Sequence, residues 1–342
     1  MSAEKILSIH DLTVHFFTVD MGVCQAVNHF SLDMYAGETV GLVGETGAGK
    51  TTVALSILGL LQSPPGKVLS GTIAYKGADL LKLKQKELQK IRGKEIAMVF
   101  QDPMTALNPT DCIGDQIAEG IHLHQNCSHE EAVKRAIEML EMVGISRDRY
   151  HEFPHQFSGG MKQRVIIAMA LSCSPRILLA DEPTTALDVT IQAQVLELMN
   201  DLKQKLNTAV LLITHDLGVV AETCQKVAIM YAGKIIETGT AQEIFYQARH
   251  PYTWALLSAL PSLTTPKSKL NPIQGMPPSL INPPKGDAFA YRNEYALAVD
   301  YTCHPPMFSL SDTHAAATWL LDERAPHIAP PQFIQKTSLK KL

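Results

Sequence analysis

Residues 44–51 read GETGAGKT, and this spacing of glycine, lysine and threonine suits the binding of a nucleotide phosphate. Glycines lack a Cβ, so the backbone amides between them can wrap around a phosphate group. The Lys50 amine would reach the β- and γ-phosphate oxygens, and the Thr51 hydroxyl would bind Mg²⁺. The candidate phosphate-binding residues are Gly44, Glu45, Thr46, Gly47, Ala48, Gly49, Lys50, Thr51 and Thr52.

A second segment, FSGGMKQR at 157–164, also has the composition of an anion-binding site. A serine and two glycines ahead of a run of helix-forming residues would direct backbone N–H groups and the positive end of a helix at a phosphate. The candidate residues are Ser158, Gly159 and Gly160. Because GETGAGKT is already a complete phosphate loop, the question is what the second segment binds.

Acidic and polar residues follow three predicted strands. Asp181 and Glu182 come directly after the apolar strand 176–180. A carboxylate at this position beside a phosphate loop suits a role near Mg²⁺, and Glu182 would polarise an attacking water. A solvated acidic pair is the alternative. Gln101 follows EIAMVF and would contact Mg²⁺ and water, while His215 follows VLLIT and could contact a γ-phosphate unless it is an ordinary surface histidine.

Strands and helices must position these side chains, and their pattern is visible in the sequence. Residues 6–18 and 23–35 alternate apolar and polar residues, which predicts strands. ETVGLVG at 38–44 predicts a buried strand, and TTVALSILGLL at 51–61 predicts the helix after the loop. Strands and helices alternate again in the second half of the chain, with a helix at 190–206. This alternation predicts an α/β fold whose parallel or mixed sheet is covered on both faces.

A mostly helical pattern extends over 112–172, and we predict an inserted helical lobe at about 102–172. Its clearest helix is SHEEAVKRAIEMLEMVG. Ser128 and Glu131 have the spacing of a capping box, and Gly144 would end the helix.

The composition is that of a soluble globular chain, with 342 residues, 46% hydrophobic residues and a formal net charge of −4. The sequence contains no basic stripe, so it does not point to nucleic acid as a partner. Six scattered cysteines without a CxxC pair, and no segment of the secretory kind, predict reduced thiols in the cytosol. The longest apolar run, VIIAMAL, is far shorter than the ~20 residues that span a bilayer. Prolines become frequent after residue 260, so we predict a poorly regular appendix at 261–342 on a core of residues 1–260.

In sequence order, these segments resemble the ATP-binding subunits of ABC transporters, and the resemblance covers roughly residues 6–260. The order GETGAGKT, Gln101, FSGGM, ILLADEP, ALD and His215 is that of the family. The resemblance implies an α/β P-loop NTPase core of the ABC ATPase type, with an antiparallel β subdomain, an inserted helical subdomain and a C-terminal extension. It also implies an aromatic residue that stacks on the adenine of ATP, for which Phe16 is the best match and Phe17 the alternative.

ATPase domains of this family pair head to tail, and the signature loop of each closes on the ATP held by the other. The resemblance therefore implies that Ser158, Gly159 and Gly160 bind the γ-phosphate of a partner's ATP. Phe157 stands where the family has leucine, and Met161 where it has glutamine. Neither side chain is needed for a contact made by backbone amides, so we expect the loop to be competent.

DPMTALNP at 102–109, HPYTWALLSALP at 250–261 and the proline-rich appendix resemble the ATPases of oligopeptide and dipeptide importers. This resemblance implies an ATP-hydrolysing subunit that lies peripherally on the cytoplasmic face of the cell membrane. The implied partners are a paralogous ABC ATPase, two integral membrane permease subunits and an extracytoplasmic solute-binding protein.

Three alternatives to a peptide importer stay open. Importers of nickel or of another small solute use similar ATPases. A soluble ABC ATPase in DNA repair or translation is disfavoured because this chain has one cassette and no long coiled coil or basic arm. A nucleotide-binding regulator without turnover is disfavoured by the presence of Lys50, Glu182 and His215.

Many ATPases of this branch carry four cysteines that bind an iron–sulfur cluster in the appendix. Here Asp287, Asn293 and Asp300 stand at what look like the first three cysteine positions, and Thr318 stands at the fourth. Cys303 alone cannot hold a cluster that requires four ligands. The resemblance therefore predicts a variant without an iron–sulfur cluster.

The segment HLHQNCSHE offers His122, His124, Cys127 and His129 as possible ligands of a soft metal. Their spacing matches no common zinc site, and Ser128 is better explained as a helix cap. We therefore favour a solvated loop between helices over a metal site.

Overall fold

The computed structural model describes residues 4–18, 22–102, 106–185, 187–260, 273–331 and 334. The chain forms two compact units. The phosphate-loop unit consists of Leu7–Asp33, Val40–Ala78 and Thr214–Leu342. The helical unit consists of Met1–Ile6, Met34–Thr39 and Asp79–Ile213.

The regular elements of the described residues follow one another as short strands and helices. The strands are β1 (Lys5–Thr18), β2 (Gly22–Tyr35), β3 (Thr39–Val43), β4 (Gly66–Tyr75), β5 (Ala78–Asp79), β6 (Ile96–Val99), β7 (Ile177–Asp181), β8 (Ala209–Thr214), β9 (Lys226–Tyr231), β10 (Lys234–Thr240), β11 (Phe308–Ser309) and β12 (Ala315–Ala316). The helices are α1 (Lys50–Ile57), α2 (Gln85–Ile91), α3 (Ile113–His124), α4 (His129–Met142), α5 (Gly159–Leu171), α6 (Val189–Leu206), α7 (Leu217–Thr223), α8 (Ala241–Gln247) and α9 (Pro251–Ser258).

A four-stranded sheet with the order β2-β1-β4-β5 contains the two long strands predicted near the start of the chain. Strand β1 runs antiparallel to β4, from Leu7 opposite Tyr75 to Phe16 opposite Gly66. The register shifts at Thr13, which marks an irregularity in the strand. The predicted antiparallel β subdomain is therefore confirmed.

A second group of strands in the phosphate-loop unit leads to the phosphate loop. Strand β3 runs parallel to β9, with Val40 opposite Lys226 and Val43 opposite Ile229. Strand β9 pairs with β10, β10 pairs with β12, and β12 pairs with β11, each in an antiparallel manner. Every residue of β3 is buried, which is typical of a parallel strand covered on both faces. The phosphate loop thus begins where a rigid buried strand ends.

The helical unit contains three parallel strands in the order β8-β7-β6. Every residue of β7 and β8 is buried. Their compositions, ILLAD and AVLLIT, are the near-continuous apolar runs that such burial requires. The predicted parallel α/β arrangement is confirmed in these strands.

Side-chain caps begin two helices of this unit, and a glycine ends one of them. Ser128 Oγ accepts the Glu131 N–H at 3.2 Å, and Glu131 Oε2 accepts the Ser128 N–H at 3.0 Å. This reciprocal pair is the predicted capping box of α4. Gly144 follows the helix with φ of +75°, as predicted for its end. Helix α6 begins after Asp188, whose Oδ1 accepts a backbone N–H of the first turn.

The helix after the phosphate loop is shorter than predicted. The apolar pattern predicts a helix over 51–61, whereas α1 ends at Ile57. Gly59 adopts φ of +61°, and the Leu60 N–H donates to the Leu55 carbonyl at 2.9 Å. This glycine-dependent turn closes the helix although the residues that follow are apolar.

The described part of the appendix, residues 273–331, contains only short turns and two-residue strands. Strand β12 pairs with β10 through Ala316 opposite Glu237. The compact unit that holds the phosphate loop also includes this region, so the predicted domain boundary at residue 260 stays a prediction. Across the described residues, none of the helices has the length and apolar character needed to cross a membrane.

Candidate functional site

The phosphate loop leaves β3 and ends in the first turn of α1. Gly47 and Gly49 have φ of +82° and +102°, a conformation that other residues rarely adopt. A Cβ on Gly44 would lie 2.2 Å from the Met230 carbonyl oxygen, and one on Gly49 would lie 2.2 Å from the Ala26 carbonyl oxygen. The close approaches at Gly44 and Gly49, together with the positive φ angles of Gly47 and Gly49, are the physical reason for the glycine spacing of GETGAGKT.

Lys50 is only 6% exposed, and its amine lies over the backbone of the loop. Its Nζ donates to the carbonyl oxygens of Gly44 at 2.7 Å and Glu45 at 3.0 Å. Thr46 and Gly47, which lie between Glu45 and Lys50 in the sequence, are exposed. A phosphate bound by the loop would therefore meet accessible backbone and an amine that is already held within the loop.

In the helical unit, β7 ends at Asp181 and is followed directly by Glu182. Asp181 is 2% exposed, whereas Glu182 is half-buried. Glu182 has φ of +45°, and its N–H donates to the Ile213 carbonyl at 2.8 Å. A non-glycine residue in this conformation costs on the order of 1 kcal/mol, which the surrounding structure must offset. This strained backbone turns Glu182 away from the direction of the strand.

The structure brings Gln101 and Glu182 together at the ends of the neighbouring strands β6 and β7. Gln101 Nε2 donates to Glu182 Oε2 at 2.9 Å, and Thr185 Oγ1 donates to the same oxygen at 2.9 Å. Two donors on one oxygen orient the carboxylate. Because Glu182 occupies the amide nitrogen of Gln101, the amide oxygen is the atom suited to a cation. The role of Thr185 was not foreseen from sequence.

The signature loop, residues 157–161, leads into the N-terminus of α5. Ser158 and Gly159 are exposed, and Ser158 Oγ accepts the Met161 N–H at 3.4 Å. The first N–H groups of a helix have no partner within the helix, so this exposed end suits an anion.

The two signature glycines differ in their surroundings. A Cβ on Gly160 would lie 2.5 Å from Ile191 Cγ2, a residue of α6. A Cβ on Gly159 would have no neighbour closer than Leu187 Cδ2 at 3.9 Å. Gly160 is therefore required by packing inside this chain, whereas packing does not require Gly159.

Arg149 contacts both residues that depart from the usual signature. Its guanidinium carbon lies 4.2 Å from the centroid of the Phe157 ring, and its Nη1 lies 3.3 Å from Met161 Sδ. Its Nε donates to Glu152 Oε2 at 2.7 Å, and its Nη2 donates to the Gln156 carbonyl at 3.1 Å. Sequence reasoning missed Arg149, since its spacing from the loop follows no known motif.

Phe16 and Phe17 lie near the end of β1 and point to opposite faces of the sheet. Phe17 is 46% exposed, and Phe16 is half-buried. A Cβ on Gly66 would lie 3.0 Å from Phe16 Cε1, so the ring lies over that glycine. The assignment of adenine stacking to Phe16 stays a prediction, with the more exposed Phe17 as the alternative.

His215 follows β8, is exposed and belongs to the phosphate-loop unit together with Lys50. The next residue, Asp216, caps α7. Asp181 and Gln101 belong to the helical unit. That the two residues of each unit act on one nucleotide stays a prediction.

Sequence reasoning also missed a contact between the phosphate loop and the C-terminal region. Arg292 donates from Nη1 to Glu45 Oε2 at 2.7 Å and from Nη2 to Glu45 Oε1 at 3.0 Å. These residues are 247 positions apart, and no local pattern links them.

The oxygen donors predicted for Mg²⁺ fit that ion. Thr51 through its hydroxyl and Gln101 through its amide oxygen are the predicted ligands. The Asp181 carboxylate is predicted to lie near the ion. Mg²⁺ prefers such hard oxygen ligands and retains several waters. Thr51 and Gln101 are exposed, so ion and water have access to them.

The four positions predicted to replace cysteines carry buried polar side chains. Asp287, Asn293, Asp300 and Thr318 are 6%, 8%, 2% and 2% exposed. Each accepts a backbone N–H from a residue two or three positions away. Burial raises the pKa of Asp287 to about 6 and also raises the pKa of Asp300. Carboxylate, amide and hydroxyl groups used in this way do not fit an iron–sulfur cluster, which binds thiolates.

The histidine-rich segment forms local contacts. His122 Nδ1 lies 3.1 Å from the Cys127 carbonyl oxygen, and the His122 and His129 rings are 6.4 Å apart, edge to face. Burial, with the nearby charge of Lys94, lowers the pKa of His124. Within the described ranges, no three His, Cys, Asp or Glu side chains are arranged to hold a metal ion.

Two protein-family models match the chain. The ABC transporter model matches residues 27–185. The model for the C-terminal region of oligopeptide/dipeptide transporters matches residues 236–299. The phosphate loop lies inside the first match, and Asp287 and Asn293 lie inside the second.

Curated relatives match over nearly the whole chain. The oligopeptide transport ATP-binding protein OppD of Bacillus subtilis is 52% identical, with 99% of this chain and 95% of the relative covered. The dipeptide transport ATP-binding protein DppD of Lactococcus lactis is 50% identical, with 98% of this chain and 96% of the relative covered.

Solved structures show the same cassette fold. The dimeric post-hydrolysis state of the ATP-binding cassette MJ0796, bound to ADP and Pi, has a TM-score of 0.61 and 29% identity, covering 69% of this chain and 99% of that one. The protein cbiO1 from Clostridium perfringens has a TM-score of 0.61 and 27% identity, covering 71% of this chain and 91% of that one. The predicted fold is confirmed.

Proposed function

Because the chain belongs to the ABC transporter family, in the branch of oligopeptide and dipeptide transport ATP-binding proteins, we propose that it is the energy-coupling ATPase of a peptide importer. Its reaction converts ATP and water to ADP and phosphate. One observation carries the proposal: a complete phosphate loop and a C-terminal region of the oligopeptide/dipeptide type stand in the same chain.

Nucleotide binding would use the phosphate loop. The backbone N–H groups of residues 44–51 would surround the β-phosphate, and Lys50 Nζ would exchange its contacts with the Gly44 and Glu45 carbonyls for phosphate oxygens. Thr51 and Gln101 would hold Mg²⁺, which supplies positive charge against the phosphate oxygens when bound. Phe16 would stack on adenine.

Hydrolysis would depend on Glu182 as the general base. Glu182 would accept a proton from the attacking water, while the donors Gln101 and Thr185 hold its carboxylate in one orientation. His215 would donate a hydrogen bond to the γ-phosphate. Asp181, at the buried end of β7, would stabilise the metal site.

Dimerisation would bring the signature loop onto a second nucleotide. The exposed N-terminus of α5 supports a contact made with another molecule, since Ser158 and Gly159 face solvent. We propose that the partner is a paralogous ATPase. Mass measurement of the assembled complex should give one copy of this chain and one of a paralogue. Two copies of this chain without a paralogue would contradict that pairing.

The remaining proposed partners are two membrane permease subunits and an extracytoplasmic solute-binding protein, with this chain peripheral to the cytoplasmic face of the membrane. The chain should co-purify with integral membrane proteins and not with nucleic acid. Co-purification with nucleic acid and without membrane proteins would favour a soluble ABC ATPase over the importer ATPase.

An uptake assay with reconstituted vesicles tests whether the transported solute is a peptide. Vesicles reconstituted with the permease subunits, the solute-binding protein and both ATPases should accumulate a labelled oligopeptide or dipeptide when ATP is supplied. The Glu182→Gln variant, as the matched control, should abolish this uptake. Uptake of Ni²⁺ or another small solute without peptide uptake would favour the alternative importer.

We also propose that the protein functions without an iron–sulfur cluster, because buried oxygen and amide groups occupy the four expected ligand positions. Protein purified without oxygen should carry no stoichiometric iron and no brown colour. About four iron atoms per chain would contradict this proposal.

A further inference from the structure

Arg292 lies in the C-terminal region, at the end of a short turn formed by Ala290–Arg292. Its side chain is 6% exposed, and the Glu45 side chain that it contacts is 24% exposed. The two N–O distances of 2.7 and 3.0 Å make this a bidentate pair between a guanidinium and a carboxylate. The C-terminal region therefore contacts the second residue of the phosphate loop directly.

The remaining contacts of Arg292 hold its guanidinium in one orientation. Its Nε donates to the Gln274 carbonyl at 2.9 Å, and its Nη1 donates to the Tyr231 hydroxyl at 3.0 Å. Burial by itself lowers the pKa of Arg292, but its hydrogen bonds to Glu45 and Tyr231 raise the pKa above the ordinary value. Only arginine, with its planar fork of donors, can make all of these contacts.

Glu45 is held through its backbone as well. Its N–H donates to the Tyr252 hydroxyl at 3.1 Å. The Tyr252 ring lies 4.6 Å from the Tyr231 ring and 5.3 Å from the Phe289 ring, measured between centroids. Tyr252 and Tyr231 are almost fully buried. This aromatic cluster gives the pair a rigid support.

We propose that Arg292 is a positioning residue for the nucleotide site, through which the C-terminal region sets the affinity of the phosphate loop for di- and triphosphates. Arg292 would act through Glu45, whose carbonyl oxygen, with that of Gly44, receives Lys50 Nζ. It would also neutralise a carboxylate that stands next to a site for anions. The inference rests on the proposed function, in which this loop binds ATP.

The charge of Glu45 leads to a specific expectation for single and double variants. Arg292→Ala would leave a largely buried carboxylate unpaired beside the phosphates, so the affinity for ATP should fall ~10-fold or more. Adding Glu45→Gln to Arg292→Ala removes that charge and should restore much of the affinity. A purely structural role for Arg292 predicts no such recovery.

The experiment measures the dissociation constants of ATP, ADP and AMP for the purified full chain by titration calorimetry. Arg292→Ala should weaken ATP and ADP binding and leave AMP unchanged, since AMP has no β-phosphate. Arg292→Lys retains the charge without the fork and should show a smaller loss, which provides a second test if Arg292→Ala does not fold. Arg324→Ala removes an 85% exposed arginine of the same region and should bind like the wild type.

Lys50→Ala separates failure of the inference from failure of the proposed site. Wild-type ATP affinity in Arg292→Ala, with binding lost in Lys50→Ala, would overturn the inference alone. Loss of affinity without recovery in the Arg292→Ala/Glu45→Gln double variant would overturn it as well. Wild-type affinity in Lys50→Ala would overturn the proposed nucleotide site and the inference together.

Discussion

The phosphate loop and the signature loop both present backbone N–H groups at the start of a helix, but they are supported differently. The phosphate loop is packed closely against carbonyl oxygens, and Arg292 holds it from 247 positions away in sequence. The signature loop is exposed at Ser158 and Gly159, and its anchor Arg149 lies within 12 positions of it. The side chain that anchors the phosphate loop is therefore distant in sequence, whereas the side chain that anchors the signature loop is close.

This difference has a physical explanation in the proposed roles. A loop that binds a nucleotide within its own chain needs its backbone preorganised before the ligand arrives. A loop that meets a nucleotide held by another molecule must stay accessible until the two surfaces close. The same chemistry, an N–H group directed at a phosphate, therefore requires a rigid buried support in one case and an exposed end in the other.

The largest effect is expected from Glu182→Gln, which should separate ATP binding by the two loops from ATP hydrolysis. Glu182→Gln should retain ATP binding but lower the hydrolysis rate by ~10²-fold or more, because general-base catalysis contributes at least that much. Single-turnover hydrolysis and nucleotide binding, measured on the assembled transporter, provide the check. Turnover near the wild-type rate would mean that Glu182 is not the base.

A second pair of variants tests whether the buried Gly44 of the phosphate loop and the exposed Gly159 of the signature loop differ in their tolerance of a Cβ. Gly44→Ala places a Cβ 2.2 Å from a backbone oxygen, so it should cost about 1–3 kcal/mol and weaken nucleotide binding. Gly159→Ala meets nothing closer than 3.9 Å and should leave the melting temperature unchanged or slightly higher. Equal destabilisation of the two variants would contradict the comparison.

The action of the signature loop on a partner's nucleotide can be tested with Gly159→Asp, which adds a negative charge where a phosphate would approach. Gly160→Asp is a poorer probe because its side chain would clash with Ile191 of the same chain. Combined with the lysine mutation in the partner's phosphate loop, Gly159→Asp should damage only one composite site.

Combined with Lys50→Ala in this chain, the same substitution should damage both sites. The ATPase rates of the two double variants should therefore differ when both sites of the wild type are active. Hydrolysis that survives only in the Lys50→Ala combination would refute action on the partner's nucleotide.

A smaller effect is expected from the local anchor of the signature loop. Arg149→Ala removes contacts with Phe157 and Met161, and should destabilise the protein by about 1 kcal/mol while lowering ATPase activity several-fold. Its nucleotide affinity as an isolated chain should not change. Arg147→Ala, which removes a 65% exposed arginine nearby, is the control and should show neither effect. Weakened nucleotide affinity in Arg149→Ala would remove the distinction between the loops.

The last effect is a pH dependence of stability, and it concerns the buried carboxyl of Asp287, which belongs to the region that supports the phosphate loop. Its folded-state pKa of about 6 lies above the value of 3.8 for an unperturbed carboxyl, so the native state binds this proton more tightly. Its contribution to stability is therefore full below about pH 4 and is lost as the pH rises to about 6.

Asp287→Asn retains an oxygen that can accept the Phe289 N–H and removes this pH dependence. Relative to the wild type, the variant should gain stability between pH 4 and pH 7, by at most about 3 kcal/mol. Urea unfolding at the two pH values measures this gain, with the exposed Asp312→Asn as the control. A stability difference between variant and wild type that is equal at both pH values would contradict the assignment.

Much of the candidate site was predictable because its chemistry is encoded in short segments. GETGAGKT specifies positive φ angles and close backbone approaches that only glycine tolerates, and ILLAD followed by glutamate marks the end of a buried strand. The Ser128 capping box was likewise predicted correctly, since both of its hydrogen bonds join residues three positions apart. The helix α1 was predicted too long because its apolar composition outweighed the turn at Gly59.

Other features depend on the path of the chain through space. The Arg292–Glu45 pair joins residues 247 positions apart, and Gln101 reaches Glu182 only because the neighbouring strands β6 and β7 end together. The sequence by itself determined which backbone segments can bind phosphate, because steric limits on glycine and the ends of strands act locally. The tertiary structure decided which distant side chains hold those segments in place, because that depends on contacts between residues that no local pattern relates.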